Sequence, residues 1–308
     1  MALWRSFNTA WTGKGTDNMS SMDRGILSEF DLKRKGTRAG YIIMLVVIFL
    51  MAASMVYPVL TTAFNGLKDN AEVNSFPPHF LPQTWEWGNF DEAWNYIALP
   101  TFLRNTLLIF GGNMIVSVLV LGTASFSLSR LHVPKRRSIE MFFMITLFIP
   151  PTTYLIPNFL NLKDLGLLDS FFAFWLPAGA NAFFLLLLKN FFDGISMEIF
   201  EAARIDGASE LSCFIRIAVP LSLPIFATLA IFVFSTAWND WFWPSLIMHK
   251  DSHYPLSTAI YKYVIQAKML NLNIKFAILT LVMLPPIAVF LVFQRFIIRG
   301  LHLGGVKG

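Results

Sequence analysis

Hydrophobic residues gather in this chain into six long runs separated by polar stretches. The runs cover residues 40–62, 105–129, 139–160, 171–188, 221–243 and 276–296. A helix crossing a hydrocarbon layer of about 30 Å needs about 20 apolar residues. Each run therefore predicts one membrane-spanning helix, the fourth being short. One polar stretch has a pattern of its own. A helix is predicted over Met197–Ile205, with Ser196 at its N-cap and Gly207 placed to end it. Ser209 can cap a second helix. On it Leu211, Phe214, Ile215 and Ala218 recur at i, i+3, i+4 and i+7, which predicts one apolar face. Pro220 and Pro224 sit where the next span starts. The stretch reads as helix, glycine break, helix and return to the bilayer.

Two runs carry proline pairs, Pro150-Pro151 and Pro285-Pro286. A proline inside a helix removes a backbone hydrogen bond and clashes with the preceding turn, so both spans are expected to kink. The kinks serve either a wet pathway or packing alone. Gly122, Thr123, Ser125, Ser127 and Ser129 in the second run allow a neighbouring helix to approach closely. The stretch 63–103 contains Pro77, Pro78 and Pro82 and the aromatics Trp85, Trp87 and Trp94, and is too short for a large domain. The stretch 248–275 is amphipathic in part and reads as a helix lying at the membrane surface.

Composition agrees with a membrane protein. Of 308 residues, 55% are hydrophobic and 14% charged, against about 25% charged in soluble domains. The net charge of +5 is spread over loops and forms no patch for nucleic acid. Its distribution sets an orientation. If residues 1–39 are inside, the inner segments hold 17 Lys and Arg and the outer segments hold 7. Cytoplasmic loops carry the excess of Lys and Arg, so both termini and the 190–220 stretch are expected in the cytosol.

Several chemistries are excluded. The single cysteine, Cys213, rules out an intrachain disulfide and reads as a small apolar filler. No metal-ligand set is expected. Gly13-Lys14-Gly15-Thr16 is not a phosphate-binding GxxxxGK[ST] loop, and no HExxH or GxSxG occurs. The chain does not read as an enzyme. Glu140, Lys189, Asp240 and Arg295 lie at run ends, and no ionisable residue lies mid-span. Ion-coupled carriers keep such groups within the membrane. The energy source is then expected outside the chain, with an ion-coupled carrier as the alternative and a non-transporting scaffold as a third.

The stretch Glu201-Ala202-Ala203, Gly207, and Ile217-Ala218-Val219-Pro220 resembles the EAA loop of ABC importer permeases, with Val219 at a commoner Leu. Trp238-Asn239-Asp240-Trp241-Phe242-Trp243-Pro244 is similar to a segment of carbohydrate permeases. Gln294-Arg295-Phe296, Gly300-Leu301 and Leu303-Gly304-Gly305-Val306-Lys307-Gly308 resemble the end of the second permease of maltose-type importers. Asn105-Thr106-Leu107 is also family-like. The region 271–276 departs from the family, since the usual Trp and Ala landmarks are missing.

The resemblance implies an all-α integral membrane protein with six transmembrane helices and the type I (MetI-like) importer permease fold, both termini cytosolic. It divides the chain into a cytosolic segment 1–39 and a permease domain 40–308, with a coupling loop at about 190–220 and a tail 297–308. It implies carbohydrate transport across the cytoplasmic (inner) membrane of a bacterium or archaeon, an oligosaccharide or an acidic saccharide being the candidate cargo. The implied partners are a second permease, two ATPase subunits and an extracytoplasmic solute-binding protein, besides membrane lipid. No cofactor is expected on this chain, ATP and magnesium belonging to the ATPase subunits. Glu201, Ala202, Ala203, Asp206 and Gly207 would form the coupling element. Gly304, Gly305, Lys307 and Gly308 would reach the ATPase. Candidate pathway residues are Thr152, Thr153, Tyr154, Asn181, Asn239 and Trp241, because sugars match polar groups among aromatics. For Trp238, Trp241 and Trp243 an aromatic belt at the membrane surface is the favoured reading. In maltose-type systems the sugar contacts come mostly from the other permease.

Overall fold

The computed structural model describes residues 35–304, with side chains from 36 to 294. Most of the lead-in 1–39, and Gly305, Lys307 and Gly308 of the tail, lie outside the described residues. The described residues are all-helical, without strands. In chain order the helices are α1 (Lys35–Gly66), α2 (Asn70–Val73), α3 (Gly88–Tyr96), α4 (Leu99–Arg130), α5 (Arg136–Thr146), α6 (Leu155–Asp164), α7 (Phe172–Ala178) and α8 (Ala182–Asp193). They continue with α9 (Met197–Ile205), α10 (Glu210–Leu221), α11 (Leu223–Asn239), α12 (Phe242–Ile247), α13 (Leu256–Ile260) and α14 (Leu272–Gly304).

Three of these, α1, α4 and α14, are long and apolar enough to cross a membrane singly. Three bent pairs make the count six: α5 with the segment Pro151–Asp164, α7 with α8, and α10 with α11. The bends are 91°, 45° and 78°. Pro150-Pro151 accounts for the first, where a 3-10 turn at Pro151–Tyr154 replaces the helix. The other expected kink is absent as a break. Pro285 and Pro286 lie inside the continuous α14. Pro224 stands in the first turn of α11, where its missing N–H costs nothing.

Residues up to Thr61 form one compact unit and Thr62 onward another. The first is the bulk of α1, whose apolar side chains are exposed, Phe49 at 71%. The second unit packs around two buried clusters. One gathers Phe102, Trp238, Ile247, Leu256, Ile260 and Ile278. The other gathers Leu121, Phe126, Phe192, Phe200, Phe214 and Phe226. Helices α4 and α11 run through both. Trp238 belongs to the core and stacks on Phe234 at 5.1 Å, so the surface-belt expectation fails for it.

Small residues of α4 do seat a neighbour. Ser125 Oγ donates to Leu185 O of α8 at 2.7 Å, and Ser129 Oγ to Asp193 Oδ1 at 2.7 Å. Ser127 instead donates back to Thr123 O, satisfying itself within its helix. The stretch 248–275 does not lie loosely on the surface. Leu256, Ala259, Ile260 and Val264 are buried in the first cluster. Asn105 Nδ2 donates to Ser252 O at 2.7 Å and Tyr254 O at 3.0 Å, and Thr106 Oγ1 accepts from Leu256 N at 2.8 Å. These bonds give the Asn105-Thr106 pair its physical role.

The region 271–276 has landmarks of a different kind. Asn273 Nδ2 donates to Asn89 Oδ1 at 3.1 Å, and Asn89 Nδ2 donates to Gly66 O and Lys68 O. The chain passes so close there that a Cβ on Gly66 would lie 2.9 Å from the Ala277 backbone.

Candidate functional site

The Glu201 stretch folds as an elbow hung below α8. Helix α9 spans Met197–Ile205 as expected. Ser196 is its N-cap by position but makes no capping bond. The helix ends through a pair of bonds from beyond its last turn: Ala208 N donates to Ala203 O at 2.9 Å and Gly207 N to Arg204 O at 3.0 Å. This termination requires a left-handed residue, and Gly207 has φ +82°. A Cβ there would meet nothing within 4 Å, so a substitution is resisted by backbone conformation and not by crowding. Ser209 then caps α10, accepting from Ser212 N at 3.2 Å.

Three attachments hold the elbow. Phe200 is fully buried and meets Phe126 edge-on at 5.8 Å. The Arg130 guanidinium lies 5.0 Å from the Phe200 ring centre and donates to the carbonyls of Phe192 and Ile195. Arg204 grips Glu210 with two bonds, 2.8 and 3.1 Å, and donates to Arg130 O. The Glu210 carboxylate holds the Arg204 guanidinium further above its ordinary range, so the clamp stays charged.

With Phe200 turned inward, the opposite face of α9 is left open. Glu198, Glu201, Ala202 and Ile205 recur at i, i+3, i+4 and i+7 and are all exposed, Ile205 at 86%. Asp206 and Gly207 are exposed beside them, while Ala203 is half-buried. Among the described residues Glu201 has no ion-pair partner. An uncovered face that mixes acid, small and large apolar side chains can seat a protein partner; it can do no chemistry. Among the described residues no group of His, Cys, Asp and Glu could hold a metal.

The apolar face expected on α10 is rotated. Phe214 and Ala218 are buried with Cys213, but Leu211 and Ile215 are 62% and 54% exposed. A π-helical segment at Phe214–Ala218 adds a residue to the turn and breaks the 3.6-residue spacing. Cys213 is a buried free thiol, in keeping with the filler reading. Lys189 is no free end-of-span charge. It is buried, with Glu140 at 3.1 Å and Asp193 at 2.8 Å, and Arg136 completes the network.

The six pathway candidates do not form one site. Asn181 lines a 220 Å³ cavity between α4, α7, α8 and α11. Asn239 lines a separate 200 Å³ cavity between α11 and α14. Thr152, Thr153 and Tyr154 are exposed on the 3-10 turn and line neither. Trp241 stacks on Tyr261 at 3.9 Å and also lines neither. Sequence reading passed over Phe200, Arg204, Ile205 and Arg130. An exposed isoleucine just before the glycine was a local signal; the Arg130 contact, some 70 residues distant along the chain, left none.

Residues 24–303 match the family model described as binding-protein-dependent transport system inner membrane component. The chain is 30% identical over 275 residues to Protein LplC of Bacillus subtilis (strain 168), covering 84% of this chain and 91% of that one. It is 32% identical over 240 residues to the polygalacturonan/rhamnogalacturonan transport system permease protein YtcP of the same organism, covering 70% and 82%. Among solved structures, a chain of a bacterial ABC transporter involved in the import of the acidic polysaccharide alginate superimposes with a TM-score of 0.77 at 25% identity. That match covers 85% of this chain and 98% of the other.

Proposed function

From the premise that this chain belongs to the family of binding-protein-dependent transport system inner membrane components, we propose that the Glu201 elbow is where ATP hydrolysis in a partner drives its transport cycle. The chain is the membrane-embedded, multi-pass permease subunit of an ABC importer for carbohydrate and not an enzyme. It works with ATPase and solute-binding partners. The finer reading adds two ATPase subunits that carry ATP and magnesium, and a second, different permease beside this one. It places the complex in the bacterial inner membrane, with the elbow and the tail Gly304–Gly308 in the cytosol and an oligosaccharide as cargo.

One observation carries the coupling role. A positive-φ glycine turns α9 so that Phe200 anchors it and Glu198, Glu201, Ala202 and Ile205 face outward. A motor that pushes on such a face moves the Phe200 plug. The plug meets Phe126 of α4, which in turn meets Phe192 of α8 and Phe214 of α10, so the push reaches the spans.

Two measurements test this. The purified complex should contain ATPase chains and a second permease, with vanadate-sensitive hydrolysis stimulated by the solute-binding protein. The chain purified alone and fully active would contradict it. Cysteines at Ser209 and Asn74, both exposed, should be labelled from opposite sides of the membrane, Ser209 from the cytosol. Cys213 is buried and leaves that assay clean.

A further inference from the structure

Between α4, the α7–α8 break and α11 lies the 220 Å³ cavity that Asn181 shares with Asn113, Ser117 and Thr236. Its lining contains no charged residue. Asn113 stands about 21 Å along α4 from Leu99, near the middle of that helix. Its Oδ1 is buried and has no hydrogen-bond partner among the described residues. An unpaired buried acceptor of this kind costs about 1–3 kcal/mol, and native proteins seldom leave one without a reason. Nearby polar groups are also underused. Ser117 is buried, and its hydroxyl reaches Ala178 O only at 3.4 Å. Thr236 Oγ1 donates to Phe232 O, which leaves its lone pairs to accept. Asn181 caps α8 through Oδ1, which leaves its amide N–H groups to donate. Phe174 and Trp243 supply aromatic wall.

We infer that this cavity is a saccharide subsite, holding one sugar ring by its hydroxyls against Phe174 and Trp243. The inference rests on the carbohydrate reading above and deepens it by giving this permease its own substrate contacts. Several lines of chemistry select a sugar ring. The polar groups offer both donors and acceptors, which hydroxyls match and a purely apolar solute does not. The aromatic wall suits the C–H face of a pyranose. With no cation in the lining, a carboxylate would lose its water without a partner. A uronate would therefore enter with its hydroxyl edge, its acid turned to the open side at Asn181, which is exposed. The volume is below the roughly 300–1,000 Å³ of sites for drug-sized ligands, so it takes one ring of a longer chain. The break between α7 and α8 fits the same picture, since interrupted helices at membrane depth are tolerated where they line a cavity.

The test uses the full complex in vesicles. Uptake is first measured for radiolabelled raffinose, a neutral probe, and trigalacturonate, an acidic one, with other neutral and acidic oligosaccharides following until one is transported. If the unmodified complex takes up none, the carbohydrate reading falls and this inference falls with it. With a transported sugar in hand, Thr236→Cys in a Cys213→Ala background is exposed to a water-soluble thiol reagent during turnover. The sugar should slow modification at least about fivefold. Asn113→Leu should lower uptake at least about tenfold while ATPase stimulation by the binding protein persists, because the elbow is intact. Asn113→Asp should depress an acidic sugar more than a neutral one. Uptake without protection of Thr236→Cys, and with unimpaired Asn113→Leu, overturns the subsite and leaves the importer reading standing.

Discussion

The end of the bundle that carries the 248–256 loop and the end that carries the Glu201 elbow are built differently. At the loop end neutral side chains reach backbone groups: Asn105 to Ser252 and Tyr254, Thr106 to Leu256, Asn89 to Gly66 and Lys68. Those bonds close the loops onto the spans. At the elbow end a single ring, Phe200, and the arginine contacts of Arg130 and Arg204 hold α9, and one of its faces is uncovered. The bonds of the first arrangement join groups within this chain. The second leaves one face of α9 open, which the coupling proposal reads as half of an interface. A partner that pushes needs a rigid lever with an open side, and the elbow fits that need.

Phe200→Ala should give the largest effect. Truncating a buried Phe costs about 3–5 kcal/mol in soluble proteins, and here the lost ring is the contact of α9 with Phe126 and Arg130 of α4. Copurified ATPase should fall at least about tenfold while the 248–256 loop keeps its protease resistance. Loss of both ends together would erase the contrast between them.

Asn105→Ala should act the other way round. It strips a donor from two loop carbonyls, a cost of about 1–3 kcal/mol. Protease cleavage within 248–256 should accelerate, ATPase copurification should hold, and stimulation by the solute-binding protein should drop several-fold. Unchanged cleavage would show that the buried apolar side chains hold the loop without Asn105.

A smaller effect is expected from acid. Asp169 ties 165–170 to the 248–253 loop, accepting from His249 N, Lys250 N and His253 Nδ1, with the Lys250 ammonium at 3.4 Å. Burial pushes its carboxyl up, but the backbone bonds from Lys250 and His249 and the Lys250 side-chain bond outweigh this and hold it below the ordinary value of 3.8. A folded-state pKa below the unfolded one stabilises above the unfolded value and is lost as pH falls through the folded one. Hydrogen-exchange protection at His249 and Lys250 should therefore stay flat from neutral pH to about 4 and decline only below it. A decline that sets in well above about pH 4 would contradict this role for Asp169.

Much of this was legible in the chain, and the failures have physical causes. The six runs gave the spans, and Gly207 gave the turn, because apolar length and a left-handed residue are local properties. The rotation of Leu211 and Ile215 outward was hidden, since a π turn violates the spacing on which the face was read. Helix α4 begins at Leu99, six residues before the predicted run, which stopped at the charged Arg104; the bonds that bury Asn105 and Thr106 were hidden because they are made some 150 residues away. Lys189 looked like an end charge for the same reason, its partner Glu140 lying on another helix. The cavity with Asn113 was unreadable, because its polar groups come one at a time from separate spans.

The central claim is that α9, turned at Gly207, transmits the motor's work. Its direct test is sugar transport and ATPase rate in reconstituted vesicles, with ATPase chains quantified in the same samples, for Gly207→Val and Glu201→Lys. A β-branched residue at φ +82° opposes the turn, and Glu201→Lys reverses a charge on the open face. Gly207→Val should release the ATPase or leave it hydrolysing with transport reduced at least about tenfold; Glu201→Lys should weaken assembly more than Glu201→Ala. Transport at the unmodified rate in both variants, with full ATPase retention, would contradict the account.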